Sequence, residues 1–457
     1  MSLGSRFYRQ KGRVTMDENE LMGSMKVSKA VAKMAIPSVI SSLVTVVYNM
    51  ADTFFVGQTG DPLQVAAVSL TNPIFILFMA FANMFGMGGS AAASMALGEK
   101  KEKRVKQVSS FITYASLIVG IVFAAILLVG MQPVLQLFGA DADTYELAKG
   151  YTTYISYGAP FIIWSAAASF VVRADGASRE AMTGSMIGTV ANIILDPIFI
   201  SGFGMGAAGA AIATTIGNIM ASVYYLWYFC RKSRNMSMAF RYFKCGDRIL
   251  SQVCSAGLPT AIFSALMSIS TIILNQILVA YGNAPVAAIG IVFKANMFIT
   301  FLQMGLANGV QPLLGYSYGA GNRERFITVE RYTKKCCLIV GVLATALFFF
   351  FREPIIRLFI SDTEVINYGV EMLIAYMISG PVIGILFMNM NCMQSTGNAL
   401  PATILSILRQ GVLLIPVLYG LNALLGLHGV IYGQALTDYV AVLLSIVIWH
   451  WKCRKTL

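Results

Sequence analysis

The chain has 457 residues, of which 57% are hydrophobic and only 12% charged, with a mean hydropathy of +0.70. Soluble chains carry about 25% charged residues, so a water-soluble globule is excluded and the chain is expected to live in a bilayer. The net charge of +12 does not mark a nucleic-acid binder, because the basic residues are spread over alternate loops, where membrane orientation and contact with anionic lipid account for them.

A membrane-crossing helix takes about 20 apolar residues. Breaks in hydropathy predict twelve, at 34–56, 64–95, 107–131, 150–172, 181–202, 207–230, 250–281, 285–315, 333–351, 366–392, 401–420 and 428–451. Ahead of the first lies a polar head without a signal-peptide pattern, so that span is expected to be retained and residues 1–25 to form a disordered or interfacial tail. With the N-terminus placed inside, 28 of the 33 Lys and Arg fall on that face. Three (Lys149, Arg352, Arg357) fall outside and two (Lys294, Arg409) within spans. That bias is the expected signature of cytoplasmic loops, and it puts both termini in the cytoplasm.

The second half repeats the first at an offset of 221 residues. Val65-Ala66-Ala67 meets Val286-Ala287-Ala288, Gly98 meets Gly319, Pro133 meets Pro354, Asp141 meets Asp362, Pro160 meets Pro381 and Gly176 meets Gly397. Each repeat holds six spans, an even number, so the copies enter from the same face and are related by an axis along the membrane normal. The predicted organisation is a cytoplasmic tail (1–25), a first lobe (26–231), a cytoplasmic linker (232–248) and a second lobe (249–457). Duplicated bundles around a shared seam are how many transporters are built. Pro37, Pro160, Pro197, Pro259, Pro381 and Pro416 lie in or beside spans, where a proline removes a backbone hydrogen bond and kinks the helix.

The seven cysteines show no C-x-x-C spacing, so neither a disulfide nor a zinc site is expected. There is no H-E-x-x-H and no G-x-S-x-G, and two histidines are too few for a metal centre. No enzyme, catalytic residue or cofactor is predicted.

Ionisable groups inside a bilayer cost a few kcal/mol or more, which singles out Asp52, Asp196, Lys294, Arg409 and Asp438. At 1.5 Å per residue, Asp52, Asp196 and Thr214 lie about 6, 9 and 10 Å from the outer ends of spans one, five and six. Asn192 is one turn before Asp196 on the same face, and Pro197 leaves the Ile193 carbonyl without its usual donor. These oxygens suit a proton or a small hard cation such as sodium, not a soft metal. The pair does not recur, since 221 residues on lie Ile273 and Val417. In the second lobe Lys294 and Asp438 fall near the midplane with Arg409 deeper, as a structural ion pair or as a group that tunes the cavity or its switch.

With these residues in view, the chain resembles the multidrug and toxic compound extrusion (MATE) family, in the branch with MepA-like and DinF-like proteins. The likeness rests on Pro37 with Tyr48-Asn49-Met50-Ala51-Asp52-Thr53-Phe54-Phe55-Val56-Gly57, on Arg173-Ala174-Asp175-Gly176, and on Asn192-x-x-x-Asp196-Pro197. Gly319-Ala320-Gly321-Asn322 and Leu408-Arg409-Gln410-Gly411 add to it, and it covers residues 30 to 452. It implies an all-α polytopic fold of twelve helices in two pseudo-symmetric six-helix bundles about a V-shaped central cavity. It also implies a coupling cation held by Asp52, Asn192, Asp196 and Thr214, with Tyr48, Lys294, Arg409 and Asp438 as candidates for the cavity or switch.

Another branch uses acidic residues in spans seven and ten, and the corresponding stretches here, Pro259 to Tyr281 and Tyr376 to Gln394, hold no Asp or Glu, which argues against a second-lobe cation site of that kind. Span four shows no counterpart of an amide found in some relatives, which favours protons over sodium. The function expected is multidrug efflux antiport of amphipathic, often cationic aromatic compounds by a monomer in the plasma membrane of a prokaryote. A flippase for a lipid-linked precursor is the alternative, and it predicts a strongly basic cavity.

Overall fold

A computed structural model describes residues 20–453. Among them there is no strand, as a bilayer demands of an open chain whose backbone groups must all be satisfied within the segment. Twelve spans result: α1 (Val27–Gly57), α2 (Pro62–Gly98), α3 (Glu102–Val129), α4 (Tyr145–Ala174), α5 (Ser178–Pro197), α6 (Gly206–Arg231), α7 (Ile249–Val279), α8 (Asn283–Gly319), α9 (Arg323–Phe350), α10, α11 (Ala399–Leu425) and α12 (Leu427–Ile448). Eleven are single helices, and α10 is a pair, Thr363–Ile378 and Gly380–Ser395, bent by 45°. The predicted count of twelve holds with that pair taken as one span. The bend falls at Pro381, whose missing N–H breaks the hydrogen-bond ladder.

Hydropathy placed several helix starts too late. α9 starts at Arg323 rather than 333, because a helix continues past the bilayer into charged residues that water and headgroups solvate. Helical turns of π type follow Pro197 (Ile198–Gly202) and interrupt α11 (Leu408–Leu413).

The repeat is legible down to single contacts. Short helices Met131–Leu137 and Arg352–Arg357 occupy equivalent connections. In each of those connections a repeated aspartate accepts the backbone N–H three residues on: Thr144 N to Asp141 Oδ1 at 2.9 Å, and Val365 N to Asp362 Oδ1 at 3.0 Å. A Cβ on Gly120 would lie 2.4 Å from the Pro160 Cα, and one on its counterpart Gly341 would lie 2.9 Å from the Pro381 Cα. The same helix crossing is thus built twice from a glycine against a proline.

The two bundles meet toward the end where α1 begins and α12 finishes. There, Cβ atoms on Gly88 and Gly257 would fall 1.9 Å from the carbonyl oxygens of Val253 and Met84, and on Gly98 and Gly319 within 2.2 and 2.0 Å of those of Tyr316 and Met95. Further along, Gly305 meets Val39 and Gly309 meets Ala35. Glycine at these positions lets the backbones of α2 and α7, α2 and α8, and α1 and α8 touch directly.

Residues 1–19 of the expected tail lie outside the described residues, but its last part is not a loose arm. Glu20–Ser24 form a π-helical turn whose Leu21 and Met22 are buried among Phe326, Val329 and Trp449 of the second bundle. The Arg325 guanidinium holds it, donating from Nε to the Met22 carbonyl (2.8 Å), from Nη1 to Met25 (2.8 Å) and from Nη2 to Leu21 (3.2 Å). Composition missed this because the stabilising groups are backbone carbonyls. The 232–248 segment is pinned to the first bundle. Asp175, in the turn after α4, accepts from Tyr228 and Ser233 at Oδ2 and from Asn235 at Oδ1 (2.8, 2.7 and 3.0 Å). Burial pushes the Asp175 carboxyl above the usual carboxylate range, against the lowering effect of those three donors.

Candidate functional site

Inside the first bundle α1, α5 and α6 converge on a buried polar cluster. Asn192 and Asp196 lie one turn apart on α5, and both are buried, Asp196 completely. The Asn192 amide donates to Asp196 Oδ1 (3.3 Å) and to Thr214 Oγ1 (3.2 Å). Turned over, it donates to Asp196 Oδ2 (3.1 Å) and accepts from the Thr214 N–H (3.0 Å) and hydroxyl (3.2 Å), which satisfies both ends of the amide. Tyr48, one turn before Asp52 on α1, brings its hydroxyl within 3.4 Å of Thr214 Oγ1. Tyr48 thus joins this polar cluster.

Asp52 completes the group. Its Oδ1 is buried and, among the described residues, has no hydrogen-bond partner, and it lies within electrostatic reach of Asp196, Tyr48 and Tyr151. A buried carboxylate oxygen left unpaired is costly. A proton or cation bound there would relieve that cost, so the residues fit either one. Among the described residues no group of three or more His, Cys, Asp and Glu is gathered as a metal site.

Two members escaped the sequence. Tyr151 of α4 is buried beside the carboxylates, and nothing in its own stretch of sequence signals that role. Asn218 lies one turn after Thr214, accepting from Ser165 Oγ (2.9 Å) and donating to the Thr214 carbonyl (2.9 Å). Its i+4 spacing from Thr214 is a signal that could have found it. The α4 contribution is therefore a tyrosine and a serine acting through Asn218.

In the second bundle the three remaining ionisable groups part company. Arg409 Nε donates to Asp438 Oδ1 at 2.8 Å, and Gln434 adds a second donor at 3.0 Å. The guanidinium also packs over the rings of Phe263 (5.2 Å) and Phe387 (5.9 Å). Arg409 belongs to the π-helical turn of α11, where the Gln410 carbonyl accepts from the Ser270 hydroxyl of α7. Lys294 is half-buried and makes no salt bridge among the described residues. Phe263 and Phe387 also line a small cavity between the bundles with Met87, Thr260, Asn308 and Gln394.

The Arg409–Asp438 pair is buried on both sides, so removing one partner strands a charge at a cost of about 3–5 kcal/mol, whereas apolar replacement of both is near neutral. Asp438→Leu should therefore lower the thermal unfolding midpoint of the purified protein sharply, and Arg409→Met with Asp438→Leu should restore most of the loss. Equal destabilisation by the single and double variants would refute a purely structural pairing.

Comparisons with known proteins agree with this architecture. The MatE family model matches residues 37–198 and 259–419, two stretches in the register of the internal repeat. The chain is 32% identical over 422 residues to the multidrug export protein MepA of Staphylococcus saprophyticus, covering 92% of this chain and 93% of that protein, and equally so to MepA of Staphylococcus aureus. A crystal structure of a MATE protein in complex with MaD3S superposes with a TM-score of 0.91 at 25% identity, over 96% of this chain and 99% of that one.

Proposed function

The chain belongs to the MatE family of membrane transporters, and from that premise we propose that it is a secondary active multidrug efflux antiporter of a prokaryotic plasma membrane. It exports amphipathic, often cationic aromatic compounds and takes in protons, or sodium, by alternating access. The relatives are transporters, not enzymes, and the reading needs no cofactor beyond the coupling ion. The observation that carries the reading is the half-buried Asp52, its Oδ1 buried and unpaired among the described residues, set beside the Asn192–Asp196–Thr214–Tyr48 cluster. An ion bound there neutralises charge inside one bundle and biases which face the cleft opens to.

This reading puts the termini in the cytoplasm, so the side on which the glycine seam brings the two bundles together is the cytoplasmic one. The flippase alternative loses ground, because Asp438 neutralises Arg409 and leaves Lys294 as the unpaired cation among the three intramembrane groups of the second bundle.

Liposomes holding the purified protein, with proton and sodium gradients imposed separately, test the proposal. A fluorescent cationic dye should accumulate uphill under at least one gradient. Dye flux indifferent to both gradients would overturn antiport.

A further inference from the structure

Lys294 stands out as a membrane-embedded ammonium without an ion pair among the described residues, and helix geometry shows which way it points. The helix α8 is continuous from Asn283 to Gly319. At about 100° per residue, Lys294 lies about 20° around the axis from Gly305, which meets Val39 of α1, and about 40° to the other side of Asn308, which lines the inter-bundle cavity. Its side chain is bracketed by the two parts of α8 that face the first bundle, so it projects into the cleft.

Its height follows from the same contacts. Gly309 meets Ala35 and Gly305 meets Val39, because α1 and α8 run antiparallel. Eleven residues back along α8 from Gly305, about 16 Å toward the outside, lies the level of Met50, beside Asp52. Asp52 itself faces inward, toward Tyr48 and Tyr151. The cleft therefore has an ammonium on its second-bundle wall, level with the carboxylates buried in the first.

Among the described residues no carboxylate forms an ion pair with it. Asp438 is committed to Arg409 and Gln434, and Asp196 to Asn192. An ammonium inside a membrane cleft is retained where something in the transport cycle supplies its counter-charge, and the cleft admits cargo.

We propose that Lys294 is a specificity-determining residue that receives a carboxylate of the cargo. The transporter then favours amphipathic aromatic compounds carrying a carboxylate beside their amine over simple monocations of the same scaffold, which bring the ammonium no counter-charge. The assignment rests on the efflux reading, with cargo passing between the bundles, and names the substrate class for it.

Two cargoes on one aromatic scaffold, a tertiary amine and the same amine bearing an added carboxylate, test this in proteoliposomes of the full-length protein. Lys294→Ala should reduce uptake of the carboxylate-bearing cargo by tenfold or more and leave the plain amine within about twofold. Lys294→Arg should retain the wild-type preference, and Lys294→Glu should invert it. The assignment falls if Lys294→Ala slows both cargoes equally, as a coupling or structural role requires, or changes neither.

A wild type that moves neither cargo under either gradient sinks the efflux reading separately. Selection is then read from equilibrium binding of the two cargoes to the detergent-solubilised full chain. There a Kd ratio shifted tenfold by Lys294→Ala upholds the assignment, and an unchanged ratio ends it.

Discussion

Asp52→Asn is expected to give a folded protein that still binds cargo but no longer accumulates it against a gradient. Asparagine keeps the shape and one oxygen of the side chain and removes its capacity to ionise, so cargo exchange without a gradient should continue while uphill transport stops. A coupling free energy of about 1–3 kcal/mol corresponds to a roughly 5- to 150-fold change, and the accumulation ratio should fall by that order, toward unity. Asp196→Asn should behave alike, because Asp196 is the completely buried carboxylate of the same cluster. Thr214→Val should have a smaller effect, since Asn192 still reaches Asp196 without it. The measurement is the steady-state dye gradient in proteoliposomes, with counterflow exchange as the control for folding. An Asp52→Asn protein that concentrates dye as well as the parent would remove Asp52 from the coupling role.

The second large effect is expected at the glycine seam. Gly257→Ala places a Cβ 1.9 Å from the Met84 carbonyl oxygen, and Gly88→Ala does the same at Val253. Both clashes are with backbone, which cannot rotate away as a side chain can. Alanine favours helix over glycine by about 0.5–1 kcal/mol, so the individual helices should survive while the closed seam does not. The population should shift toward the state with this side open, export should fall by about tenfold or more, and cysteines placed along the seam should become reactive from the terminus side. Gly290→Ala, where a Cβ meets nothing within 4 Å, is the matched control and should export normally. Normal export by Gly257→Ala would show that the seam need not close for transport.

Much of this molecule is readable from the chain because lipid imposes few solutions. Twelve apolar stretches must be helices, and a 221-residue register with six spans per copy must give two bundles pointing the same way. The register also holds the repeated Asp141 and Asp362, and their matching contacts follow because local backbone geometry follows local sequence. Asp52, Asn192, Asp196 and Thr214 could be grouped by depth, because the rise per residue converts sequence distance into height.

Height alone does not give direction around a helix axis, and there the sequence falls short. Tyr151 and Asn218 enter the cluster through the rotation and packing of α4 and α6. Asp438 could have paired with either Lys294 or Arg409, and the π-helical turn in α11 with the rings of Phe263 and Phe387 brought Arg409 to it. Docking of Leu21 and Met22 on the second bundle depends on backbone carbonyls that every sequence possesses equally. Hydropathy and periodicity, which report transfer energy along the chain, thus determined what lies in the membrane, how often it repeats and which polar groups share a level. Which of those groups touch, which stay unpaired, and which side of the cleft is sealed were decided by helix rotation and close backbone approach, for these depend on contacts between residues far apart in sequence.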